Sequence, residues 1–185
     1  MKNIKFFLIY FIFITFSNCV KDVDFNQSED ISLTPVIESN IIYFNIPSDN
    51  FIAPDGSLIP FSQDYTDIRI FEDEFITDNL VKAELLMEFT NTINRNFSLY
   101  VEYLDESDIS IHDFIIDMSS GTPDSPTTII HNETFENASL DNLKLITKVR
   151  FTATLLDATP PTSNSGTIKA QSKGTFYLNI NTSGE

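Results

Sequence analysis

Two histidines, His112 and His131, are the side chains best suited to metal or proton chemistry. Each has an acid close by, in His112-Asp113 and in His131-Asn132-Glu133. Imidazole nitrogens and carboxylate oxygens are donors that zinc and similar ions take, but several must converge on one point. These two segments can supply a site only if the fold brings them together. No HExxH run or other dense ligand spacing is present. Ordinary strand or surface histidines are the simpler reading, and a metal is left undecided. Nucleophilic catalysis needs a Ser or Cys beside a base on a shaped turn. The chain has no GxSxG and a single cysteine, Cys19, and a Gly-rich loop able to cradle phosphate is also missing. Neither an enzyme nor a cofactor is expected.

Other charged groups offer weaker chemistry. Asp105-Glu106-Ser107-Asp108 and Glu72-Asp73-Glu74 are the densest acidic clusters. Either could hold Ca²⁺ loosely through oxygen ligands, but neither has EF-hand spacing, and solvated turn acids are the simpler reading. Lys144, Lys148 and Arg150 share one parity along the chain. They form either a docking stripe for an acidic partner or cross-strand pairs with outward acids such as Glu84, Glu88 or Glu102. The formal net charge of the whole chain is −16. Nucleic acid and anionic lipid would be repelled by such a charge, so no nucleic-acid partner is expected.

The N-terminus has the plan of a secretory signal. Lys2 and Lys5 precede an apolar run, Phe6 to Phe16, and then Ser17-Asn18-Cys19. The run is shorter than the roughly 20 residues of a transmembrane helix. A lone cysteine directly behind such a run resembles the lipobox of bacterial lipoproteins, with Asn18 where a small residue is usual. The resemblance covers about the first twenty residues. It implies cleavage before Cys19 and acylation of that residue, which would hold the chain at a membrane, since more than one acyl chain gives stable anchoring. The 17 Phe, 5 Gly and absence of Trp, with abundant Ile and Asn, resemble the lipoproteins of Bacteroidota, flavobacteria in particular. In that group short charged motifs after the cysteine can direct surface export, and Lys21, Asp22 and Asp24 look like one. The resemblance implies an outer-membrane lipoprotein facing the periplasm or the cell surface.

The expected organisation is a signal at 1–18, a lipidated cysteine with an acidic tether at 19–34, and one domain at 35–185. Within that domain, apolar residues alternate with polar ones from Leu80 to Asn91 and from Phe97 to Leu104. Period two marks half-buried strands, and the polar link Asn91–Asn96 predicts an antiparallel hairpin between them. Further strands are expected at Ile41–Ile46, Ile111–Asp117, Thr127–Phe135 and Thr175–Asn181. Leu143 to Leu155 reads as one long strand, preceded by a short helical turn capped by Ser139. Pro54-Asp55-Gly56 marks a turn, either of a small hairpin or within a long loop. About seven to nine strands with no long helix predict an all-β, immunoglobulin-like antiparallel sandwich. The expected function is that of a non-catalytic envelope lipoprotein. It would bind an envelope protein as an accessory module of an outer-membrane complex. The alternative is a surface-exposed ligand-binding or adhesive sandwich, with or without Ca²⁺.

Overall fold

The computed structural model describes residues 32–160 and 166–181. Leu33–Ile180 form one compact unit. A second unit, Met1–Ser32 with Asn181–Glu185, lies outside the described residues apart from Ser32 and Asn181. The expected signal, the tether up to residue 31 and part of the Asp157–Gly166 loop also fall outside them.

Ten strands are described: β1 (Ser32–Leu33), β2 (Val36–Pro47), β3 (Phe61–Asp67), β4 (Leu80–Asn91), β5 (Phe97–Leu104), β6 (Ser110–Met118), β7 (Thr127–Glu136), β8 (Lys148–Leu155), β9 (Thr167–Leu178) and β10 (Ile180–Asn181). Two short helices, α1 (Glu74–Asn79) and α2 (Ala138–Leu143), accompany them. Eight strands make two antiparallel four-stranded sheets, in the orders β2-β9-β4-β7 and β3-β8-β5-β6. Of these eight, only β5 and β6 are both consecutive and hydrogen-bonded neighbours. The antiparallel sandwich predicted from the sequence is present. Its strand order is that of a jelly roll, with eight strands in two sheets. That order refines the immunoglobulin-like expectation, whose sheets would be ABED and CFG.

The predicted hairpin between β4 and β5 does not form. These strands belong to opposite sheets, and the link between them is a corner. The side-chain amide of Asn91, fully buried, donates to Arg95 O and Ser119 O, and its oxygen accepts from the backbone N–H of Ile93. Ile93 plugs the corner from inside. Gly121 passes so close that an added Cβ would lie 2.0 Å from Asn91 O. Alternation fixes which side chains face inward, but it does not select the partner strand.

The core fills from both sheets. Ala83, Leu85, Met87 and Phe89 of β4 face inward, as do Leu99, Val101 and Tyr103 of β5. Phe44 of β2 stacks on Phe151 of β8, ring centroids 4.0 Å apart. Mid-strand β9 turns small residues inward, namely Ala170, Ser172 and Gly174. They accommodate a bulge in β2 between Asn40 and Tyr43, where Ser172 Oγ accepts the Ile42 N–H. Bulges of this kind leave one residue outside the ladder.

Two further expectations are corrected. Leu143 and Leu145 are not in a strand, and β8 starts at Lys148. Leu140, Leu143 and Ile146 are buried at intervals of three, the spacing of a helical turn, while Leu145 is exposed. Ser139 does not cap α2. Asn137 holds the cap position at φ 52°, and Ser139 Oγ instead accepts from Glu136 N and donates to Glu136 O.

Replacing Asn91 by Leu fills the corner with similar volume but strips Arg95 O, Ser119 O and Ile93 N of their partners. At about 1 kcal/mol or more for each orphaned group, stability should fall by roughly 3 kcal/mol, read from the denaturant midpoint. A midpoint unchanged from wild type would show that Asn91 does not hold the corner.

Candidate functional site

Cys19, Lys21, Asp22 and Asp24 lie outside the described residues. Lys144, Lys148 and Arg150 are placed, and they do not form one stripe. Lys144 is at the C-terminal cap of α2, whereas Lys148 and Arg150 lie on the outer face of β8. Both strand cations are paired. Lys148 Nζ lies 2.6 Å from Asp108 Oδ1, and this bond holds the Asp108 carboxyl below the usual carboxylate range. Arg150 donates twice to Glu102 of β5, at 2.6 and 2.5 Å. Glu102 is buried, and the pair is in direct cross-strand register. The acidic clusters also work locally. Asp73 Oδ1 caps α1 by accepting from Phe75 N, and Asp105 Oδ1 accepts from Ser107 N and Ile109 N. No helix of the described residues is long and apolar enough to cross a membrane.

The outer face of the β2-β9-β4-β7 sheet carries the clearest relief. The register sets side chains in cross-strand rows. One row is Asn40, Lys173, Leu86 and Asn132, and the next is Tyr43, Gln171, Glu88 and Ile130. Two depressions meet along these rows, of about 430 Å³ beside Tyr43 and Gln171 and about 340 Å³ beside Asn132 and Thr134. Leu86 and Lys173 line both. The first depression sits over the β2 bulge, with Ile42 and Ser172 in its lining. Tyr43, Leu86 and Ile130 are exposed. Around them is a lattice of polar contacts. Gln171 donates to Glu88, Lys173 pairs with Glu38, and Glu84 receives Lys82 and the Tyr177 hydroxyl. Lys82, and then Tyr177, hold the Glu84 carboxyl below its usual range. Such a face offers hydrogen bonds and apolar contact in alternation, which suits recognition of another surface.

A second cluster lies between the sheets, at the seam where edge strand β6 meets edge strand β7. The condition set by the sequence is met there, because the fold brings His112 and His131 together around Glu133. His131 Nε2 is 2.6 Å from Glu133 Oε1, and His112 Nε2 is 3.3 Å from Glu133 Oε2. The rings are held by aromatic neighbours. Phe114 stacks on His131 at 4.1 Å, and Phe135 meets His112 edge-on at 5.4 Å. Tyr103 reaches the same region from β5, its hydroxyl donating to Met87 Sδ at 3.7 Å. No signal in the sequence joins residue 112 to residue 133, because that contact depends on which strands end up at the edges of opposite sheets.

No protein-family model matches the chain, and no curated protein sequence matches it. Among solved structures it is similar to a Parabacteroides distasonis protein described as secreted, with 14% identity and a TM-score of 0.48 over 69% of this chain. It is also similar to desmodium yellow mottle tymovirus, at 16% identity and TM-score 0.35, over 80% of this chain and 90% of that one. A third is the enzymatically active domain of bacteriophage CBA120 tailspike protein 4, at 10% identity and TM-score 0.37 over 84% of this chain. The chain spans 40% of the length of the first and 20% of the third. The strand order, and not these likenesses, defines the fold.

Burial, with the Glu133 charge as the second cause, pushes the Tyr103 phenol far above its ordinary range. The phenolate is thus disfavoured only in the folded state. The stabilisation is complete below the ordinary tyrosine value of about 10 and is lost as pH rises beyond it. Ultraviolet titration of the tyrosines should leave one protonated until the protein unfolds, and Tyr103→Phe should remove that late step. Reversible ionisation of every tyrosine near the ordinary value would contradict the burial.

Proposed function

We propose that this protein is a non-catalytic envelope lipoprotein, held at the outer membrane by lipid on Cys19. Its jelly roll serves as a binding module for another envelope protein. The observation that supports this reading best is the outer face of the β2-β9-β4-β7 sheet, where two depressions meet at Leu86 and Lys173. Depressions of a few hundred Å³ with a few placed polar groups are the form that recognition sites take. Here they lie side by side along one sheet, so a partner segment laid across the strands can fill both. Leu86, Tyr43 and Ile130 supply the apolar contact, and Asn132, beside the Gln171–Glu88 and Lys173–Glu38 pairs, supplies an orienting amide.

The opposite face is of another kind. On the outer side of β3-β8-β5-β6, the buried Glu102 and its Arg150 partner tie neighbouring strands together, so their charges are committed within the sheet. Lys148 and Asp108 do the same near its end. That face also exposes Phe61, Tyr65 and Ile115, but the two adjoining depressions are on the Leu86 face.

A photocrosslinking side chain at position 86, in intact cells, should give a covalent adduct of one defined mass. The same side chain at position 115 should give none, since Ile115 is exposed on the outer face of the other sheet. Equal adducts from both positions, or none from position 86, would overturn the reading.

A further inference from the structure

We propose that His112, His131 and Glu133 are the protein ligands of a zinc(II) site that clips the two sheets together at the β6–β7 seam. The donor set is one that zinc takes, two imidazoles and a carboxylate with a fourth position left for water. The strands supply it in a simple way. His131 and Glu133 are two residues apart on β7, so both point to the inner side. His112 comes from β6 in the opposite sheet. Donors held at zinc bonding distance in a tetrahedron lie about 3.3 Å from one another. The separation of His112 Nε2 from Glu133 Oε2 is 3.3 Å.

His112 Nε2 provides the second, independent observation. This atom is buried and makes no hydrogen bond, with the Glu133 carboxylate 3.3 Å away. A buried polar atom left unpaired is costly, and a bound ion is one of the few things that explains it. Phe114 and Phe135 fix both ring planes. The imidazoles are about one-third exposed, at 35% and 30%, which leaves a path for the ion. As it stands the Glu133 carboxylate leans on His131 at 2.6 Å, and the three donors are not set at bonding distance from one point. Binding therefore requires Glu133 to turn about its side-chain bonds, exchanging its hydrogen bond to His131 for a shared ion.

The test is a titration of the full chain in detergent, stripped with chelator, with cobalt(II) as the spectroscopic probe and zinc(II) as competitor. The expected result is saturable binding of one cobalt per chain with the intense visible absorption of a four-coordinate ion, displaced by zinc. His112→Ala and His131→Ala should each weaken zinc binding at least about tenfold, measured by calorimetry. Glu133→Gln should weaken it as well, and a rise in melting temperature on adding zinc should vanish in all three variants. Wild-type protein showing no saturable cobalt absorption, or only the faint spectrum of a six-coordinate ion, would overturn the proposal without any variant having to fold. Affinity unchanged in folded histidine variants would also overturn it, by placing the ion on surface acids.

Discussion

Two four-stranded sheets that share no strand are held together chiefly by what their inner faces bury and by the corners that cross between them. This constraint governs the rest of the molecule. Phe44 on Phe151 is one such contact across the gap, and Tyr103 of β5 with Phe135 of β7, ring centroids 6.3 Å apart, is another. Because successive strands mostly alternate between sheets, the links between them must turn a corner instead of closing a hairpin. That need explains residues with no role in a sheet ladder. Asn91 spends its whole side chain on the backbone at a corner, and Gly121 is small because Asn91 O lies where a Cβ would be. At one seam, Thr66 of β3 donates to Tyr43 O of β2. At the other seam β6 faces β7, and there the molecule places His112, His131 and Glu133 instead of a simple apolar closure.

The division of labour between the two outer faces follows from the same layout. Each sheet has one face in the core, so its chemistry toward the outside is set by the alternate residues. On β3-β8-β5-β6 these residues carry the Arg150–Glu102 pair, whose carboxylate is buried and bound by two charge-assisted hydrogen bonds. Such a pair is worth little as a docking group, since its donors are already used. On β2-β9-β4-β7, the bulge in β2 and the small residues of β9 open the relief that meets at Leu86. The tie between sequence and proposed function therefore runs through Ser172, which lines the first depression, while Gly174 is small for the sake of the core. An added Cβ at Gly174 would lie 2.4 Å from Ile41 Cδ1.

Much of the fold was legible where the buried side of a strand is large and apolar. β4 and β5 announce themselves through Ala83, Leu85, Met87 and Phe89, and through Phe97, Leu99, Val101 and Tyr103. β3 does not, because its inward side is Ser62, Asp64 and Thr66, and neither does the first half of β9, which turns Ala170, Ser172 and Gly174 inward. The start of β8 is ambiguous in the sequence because Leu143 fits two patterns. It alternates with Leu145 as in a strand, and it also falls at threefold intervals with Leu140 and Ile146, which is the set the molecule buries. The pairing of Arg150 with Glu102 was among the readable options, since outward charges on neighbouring strands seek each other. The meeting of His112 with Glu133 was not readable, because it depends on sheet order, and period-two patterns carry no information about order.

The account as a whole holds that lipid on Cys19 keeps a binding domain at a membrane. Its most direct test is to compare the wild-type chain with Cys19→Ala in cells fed a labelled fatty acid, and to fractionate both. The account predicts that the wild type carries label and stays in the membrane pellet through high salt. Cys19→Ala should carry none and leave the outer-membrane fraction. Label on the variant, or an unlabelled wild type recovered in the soluble fraction, would contradict it.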